Sequence, residues 1–368
     1  MENKKIRAVG AGVLVALWLV LTAFAWFGPA KDISEAERRP LAQMPEITVE
    51  SLLGGKFMSK FEDFTLDQFP LRDTFRQLKS LFHYYVMGYS DNNDIYVTDG
   101  YAAKLEYPLN QTSLDNAIKR FKFIYDRNLK PTGSRVFMAV VPDKGYYLAE
   151  ENGFLSMDYQ AFMDAFEAGM PWATHIDLTG ALSAESYYRT DTHWRQEHLL
   201  SAAQSLCAAL GVTPFESGSF TQTKLERPFY GVYYGQAALP MEPEALYIME
   251  NEILSQCKVF DHETGKYLDI YNMDMLSSKD LYDVFLSGAK SLLTIENPNA
   301  TTDRELIIFR DSFGSSIAPL LVRDYAKVTL VDIRYLSSQV LNKFMDFHGQ
   351  DVLFLYSTLV LNNSSTLK

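Results

Sequence analysis

Cysteine is almost missing from this 368-residue chain: Cys207 and Cys257 are the only two. Two cysteines cannot build the multi-bridge framework of a small secreted module, and no Cys/His spacing of a zinc site is present. Outside the cytoplasm the pair could form one disulfide; Cys207, inside the apolar stretch 202–210, reads equally as a buried thiol. A basic stripe is also lacking. The formal net charge is −12, and no Lys/Arg run with interleaved aromatics occurs, which argues against nucleic acid as a partner. An acidic chain suits neutral glycans better than polyanions. Internal repeats and low-complexity tracts do not stand out, and only the polar Asn362-Asn363-Ser364-Ser365 tail is expected to fray. What is present is a hydrophobic content of 47%. That is enough for real cores, in one large or two modest domains.

There is a single long apolar run. Lys4, Lys5 and Arg7 precede an uncharged stretch from Ala8 to Phe27, close to the roughly 20 residues a helix needs to cross a bilayer. The basic flank is expected on the cytoplasmic side, with Trp26 and Phe27 near the outer interface and Trp18 within the run. The run is long for a signal-peptide core and no clean Ala-x-Ala site follows. Residues 1–30 are therefore expected to be a basic stub and an uncleaved membrane anchor, with the rest of the chain extracytoplasmic. A cleaved signal peptide is the alternative.

Residues 31–90 read as a polar, proline-containing linker followed by an aromatic, amphipathic helical segment near the membrane, and 91–368 as the main domain. Ile95-Tyr96-Val97 and Tyr101 to Leu105 flank Asp99-Gly100 as a hairpin. Leu114, Ala117, Ile118, Phe121, Ile124 and Tyr125 recur at helical spacing. Strands are expected at 135–141, 176–178, 292–295, 306–309, 328–331 and 352–355, with helices at 161–168, 195–210 and between the last three strands. This alternation implies an α/β fold: a parallel sheet with helices on both faces and a site at the strand C-termini. Residues 221–271, rich in Tyr, Gly and Pro, read as an insertion whose aromatics either stack on sugar rings or pack among themselves.

Two short segments carry chemistry. Asp191-Thr192-His193-Trp194 places an acid two residues before a histidine, the spacing at which one carboxylate can orient one imidazole. Asp311-Ser312-Phe313-Gly314 follows the apolar run Leu306-Ile307-Ile308-Phe309, which puts Ser312 on a tight strand-to-helix turn that exposes its hydroxyl near unpaired N–H groups. Serine, histidine and acid are the minimum set for acyl transfer through a covalent intermediate. The plainer readings are that Ser312 caps the helix after it and Asp191 the helix at 195–210. A zinc helix is disfavoured: His193 and His198 are five positions apart, roughly 140° around a helix axis, so no metal or other cofactor is expected.

The order of these pieces resembles the DHHW protein family, grouped with alginate O-acetyltransferase proteins of the AlgX and AlgJ type, which are SGNH-hydrolase-like. The resemblance rests on Ser34-Glu35-Ala36-Glu37-Arg38-Arg39-Pro40-Leu41 with Pro45 and on Phe61-Glu62-Asp63-Phe64 through Asp67-Gln68-Phe69-Pro70-Leu71-Arg72. It continues through Val140-Val141-Pro142-Asp143-Lys144, the two chemical segments, and Asp332-Ile333-Arg334-Tyr335. It implies Ser312 as nucleophile, His193 as base and Asp191 as its orienting acid, in a permuted order in which the Asp-x-His block comes first. Arg334, Trp194 and Phe313 become candidates for substrate or oxyanion contact. Arg310 stands where SGNH esterases usually carry glycine, and Thr192 where the name-giving motif has a second histidine. The implied function is a membrane-anchored extracytoplasmic O-acetyltransferase acting on a cell-surface or secreted polysaccharide, with acyl groups supplied by a multi-pass membrane O-acyltransferase. A carbohydrate acetylesterase and a non-catalytic envelope glycan-binding or assembly protein are the alternatives.

Overall fold

The computed structural model describes residues 2–34 and 36–368; Glu35 of the membrane-proximal motif lies outside the described residues. The chain forms two compact units, residues 1–93 with 234–240, and residues 94–233 with 241–368.

The larger unit is built on an eight-stranded sheet. Its strands are β1 (Val136–Val141), β2 (Thr174–Ile176), β3 (Lys258–Asp261), β4 (Lys266–Leu268), β5 (Leu292–Glu296), β6 (Glu305–Arg310), β7 (Lys327–Val331) and β8 (Asp351–Ser357). The order across the sheet is β4-β3-β5-β7-β6-β8-β1-β2. From β7 to β2 all neighbours are parallel; β4, β3 and β5 join antiparallel at one end.

The parallel strands read as unbroken apolar runs because both faces are covered. Phe137, Ala139 and Val141 of β1 with Leu306 and Ile308 of β6 face one core, closed by Ala202, Ala203, Leu206 and Leu210 of helix Leu200–Leu210. The alternate residues Val136, Met138, Val140, Ile307 and Phe309 face the other, closed by helices Gln111–Ile124 and Tyr159–Gly169. The Val, Leu, Ile, Phe and Met side chains among these each stabilise by about 1.5–3 kcal/mol when fully buried.

Three details differ from the sequence expectations. No α-helix joins β7 to β8, only a short 3₁₀ turn at Leu341–Lys343, because 332–350 lacks a sustained apolar stripe at helical spacing. The expected helix 195–210 begins with a 3₁₀ turn at Gln196–His198 and becomes α-helical only from Leu200. The segment 221–271 is only partly an insertion: Thr221–Lys224 pairs with Tyr247–Glu250 off the main sheet, but β3 and β4 extend that sheet through a turn with Gly265 at φ +67°. Strands this short, four and three residues, leave too little alternation to be read in sequence.

The smaller unit holds the apolar helix, of which Lys4–Phe27 is long and apolar enough to cross a membrane, with helices Lys56–Asp67 and Arg72–Leu81. The two membrane-proximal motifs meet here. Arg39 donates to both oxygens of Asp67 at 2.8 and 2.6 Å, and Arg72 to Glu37 at 2.5 Å. Arg39 holds the Asp67 carboxyl below its ordinary range.

Candidate active site

Three adjacent parallel strands end side by side, and each end supplies part of one polar cluster. β6 runs into Asp311-Ser312, β8 ends at Ser357 with Thr358 after it, and β1 runs into Pro142-Asp143-Lys144. This is where an open parallel sheet places its ligands.

Asp311 sets the shape of the serine turn. Its Oδ2 accepts from Ser357 N at 2.8 Å and Ser357 Oγ at 2.7 Å, and its Oδ1 accepts from Phe313 N at 3.0 Å. The turn feeds a short helix, Gly314–Ile317, continued as 3₁₀ through Ala318–Leu321 with Pro319 in its first turn. Gly314 is required here: a Cβ would come 2.7 Å from Arg310 Cβ. Arg310 itself is 1% exposed, donates weakly to the carbonyls of Asp311 and Lys290 at 3.3 and 3.4 Å, and lies 3.8 Å from Asp332.

The histidine arrives on a turn rather than on an extended strand. Asp191 Oδ1 accepts from His193 N at 3.0 Å and meets His193 Nδ1 at 2.6 Å; Oδ2 accepts from Val232 N at 2.8 Å. With Nδ1 donating to Asp191, Nε2 is left to accept from Ser312 Oγ, 2.7 Å away. Asp191 is fully buried, His193 nearly so, and Ser312 half-buried. Asp191, His193 and Ser312 therefore form one continuous hydrogen-bonded line, with neither residue engaged as a helix cap.

Residues not foreseen complete the setting. Tyr282 stacks on His193 with centroids 3.9 Å apart, and its hydroxyl shares Ser316 Oγ with Trp194 Nε1, at 2.7 and 2.8 Å. Gly231 lets the 229–233 segment approach: a Cβ there would lie 2.1 Å from the Thr190 carbonyl oxygen. Gly231 N donates to Thr190 Oγ1 at 2.9 Å, and Tyr233 OH to Thr192 Oγ1 at 3.1 Å. A lone glycine among the aromatics of 229–234 was the signal for that approach; Tyr282 sits in no motif.

The other candidates pack beside the triad or onto a neighbouring acid, Phe313 with its ring 5.2 Å from that of His193. Trp194 is fully buried and donates to Phe313 O and Ser316 Oγ, so it packs behind the site. Phe313 is 2% exposed and its N–H is taken by Asp311. Arg334 is clamped on Asp332 through Nε and Nη2, at 2.9 and 2.6 Å. Of the aromatic segment, Phe229 and Tyr233 are buried and Tyr230 is 40% exposed. Cys207 and Cys257 are separate buried thiols, each pushed up by burial, Cys257 to about 11.

Residues 178–331 match the family model of the DHHW protein. The chain is similar to DHHW proteins. Residues 104–246 of this DHHW-like chain also match the SGNH hydrolase-like domain, acetyltransferase AlgX. Among solved structures, a DHHW family protein from Eubacterium siraeum shares 20% identity with a TM-score of 0.62, covering 75% of this chain and 95% of that one. Bacillus cereus PatB1, solved with a sulfonyl adduct, shares 18% identity with a TM-score of 0.57, covering 73% and 95%. At this identity the two structures establish a common fold. No curated protein matches the chain in sequence. Residues 104–246 thus resemble an SGNH hydrolase-like acetyltransferase domain.

Proposed function

We propose that this DHHW-like chain is a membrane-anchored, extracytoplasmic O-acetyltransferase that acylates hydroxyls of a polysaccharide through Ser312. The observation that carries the reading is the line Asp191–His193–Ser312, with contacts of 2.6 and 2.7 Å. Ser312 Oγ attacks the acyl carbonyl as its proton passes to His193 Nε2, and the leaving group takes that proton as the C–O bond breaks. In the second half a sugar hydroxyl gives its proton to His193 and attacks the acyl-serine, which frees Ser312. Asp191 holds the tautomer and balances the imidazolium. The Ser312 N–H, which none of the turn's hydrogen bonds uses, serves the oxyanion; the Phe313 N–H does not, because Asp311 holds it.

Arg310 does not argue for a dead site. Its side chain is buried under Gly314 rather than presented to a ligand. The apolar helix with Lys4, Lys5 and Arg7 at its start supports an anchor with the larger unit outside. Acyl groups then come from a donor in the membrane, a multi-pass O-acyltransferase, and water is the competing acceptor. Incubation with a small acetyl ester, with and without neutral oligosaccharides, tests the reading. Acetyl on the sugar, lost in Ser312→Ala, supports transfer. Free acetate alone makes the chain an acetylesterase, and neither product makes it a non-catalytic envelope protein.

A further inference from the structure

The chemistry just proposed makes no use of the buried Lys144. Lys144 is 2% exposed and opens a short helix directly after β1. Its ammonium donates to the carbonyls of Tyr188 at 2.8 Å and Arg189 at 3.3 Å. The Tyr233 and Tyr101 rings lie 5.0 and 6.0 Å from Nζ, and the Arg189 guanidinium packs on the same Tyr101 ring at 5.8 Å. Among the described residues no carboxylate reaches ion-pairing distance of it. Asp191, Glu244 and Asp143 act on it through space and favour its charge, but burial outweighs them and brings its pKa down to about 7.

A lysine buried without a paired carboxylate is costly, and an apolar side chain of similar length would be cheaper to bury. Such a residue persists where function needs it. Its contacts say where that need lies. Tyr188 and Arg189 lead directly into Thr190-Asp191-Thr192-His193, and Tyr187 OH donates to the Pro142 carbonyl beside them. Lys144 therefore hangs the start of the histidine loop on the end of β1. The neighbouring strand end is tied in as well: Thr358 Oγ1 donates to Asp143 at 2.6 Å, while Ser357 holds Asp311.

We propose that Lys144 is a positioning residue that ties the Asp191–His193 loop to the C-terminal end of β1 and so sets its register against Ser312. The inference rests on the serine-acylation reading above. It commits to an effect on rate that a residue serving only the fold would not have. A displacement of about 1 Å at the reacting groups costs on the order of 100-fold.

The test compares wild type, Ser312→Ala, Lys144→Met and Lys144→Gln in the full chain, by steady-state hydrolysis of p-nitrophenyl acetate and by thermal unfolding at pH 6 and pH 9. Lys144→Met is expected to lower kcat about 100-fold with KM nearly unchanged. Lys144→Gln, which keeps N–H donors, is expected to recover part of that loss. The stability readout has a definite sign. The native value of about 7 lies below the ordinary 10.5, so between them the unfolded chain holds the extra proton and wild-type stability rises with pH. Lys144→Met removes this dependence, so its Tm relative to wild type is expected to be higher at pH 6 than at pH 9. A kcat within about twofold of wild type in both Lys144 variants would overturn the proposal while leaving Ser312 as the nucleophile. Equal turnover in wild type and Ser312→Ala would instead remove the reading on which it rests.

Discussion

Tyr282 lies flat on His193, with ring centroids 3.9 Å apart and planes 9° from parallel. Asp191 fixes one edge of the imidazole and Tyr282 covers one of its faces, so Nε2 has a single direction in which to meet Ser312. The tyrosine is itself held, through Ser316, on the indole of Trp194.

Tyr282→Leu keeps apolar volume but removes the stack, and is expected to lower kcat by about 10- to 100-fold. Tyr282→Phe keeps the stack and loses only the bond to Ser316, about 1 kcal/mol of stability, with a much smaller loss of rate. Steady-state kinetics and thermal unfolding of the two variants separate stacking from the hydroxyl.

Asp191→Asn keeps the side-chain size, but its NH2 must face either the Val232 N–H or the histidine edge, so it loses one acceptor and no longer selects the tautomer with Nε2 free to accept. Acylation of Ser312 is expected to fall by about 10⁴-fold, with secondary structure by circular dichroism unchanged. A fall of less than about tenfold would mean that Asp191 serves the turn alone.

Gly231→Ala is expected to act from outside the triad. Its Cβ would fall 2.1 Å from the Thr190 carbonyl oxygen, and the neighbouring Val232 N–H, which donates to Asp191 Oδ2, would be displaced with it. The variant is expected to lose at least about 1 kcal/mol of stability and to acylate more slowly than wild type at the same substrate concentration.

Asp67 gives a pH prediction in the smaller unit. Its carboxyl is held low by Arg39, so the stabilisation is present above the ordinary carboxylate range and is lost as pH falls through the native value. Asp67→Asn is expected to unfold at a lower temperature than wild type at pH 7, with the difference shrinking toward pH 3. A constant difference across that range would contradict the ion-pair account.

The parts of the site that could be read from sequence are those in which the partners are local. Asp191 and His193 are two residues apart, and Ser312 follows a short apolar run typical of a buried parallel strand, so each half is legible on its own. The clamp of Arg334 on Asp332 has the same two-residue spacing and is equally local. Tyr282, Val232 and Lys144 reach the histidine loop across 41 to 89 positions of sequence, and no periodicity marks them. In the fold, the long runs of β1, β6 and β8 announced themselves, whereas β3 and β4 did not, because strands of three or four residues carry almost no alternation.

The most direct test of the central claim is intact mass and product release on treating residues 31–368 with p-nitrophenyl acetate, for wild type, Ser312→Ala and His193→Ala. The account predicts an acetyl adduct or turnover in the wild type, reduced by at least about 10³-fold in each variant. No adduct and indistinguishable rates in all three would contradict it.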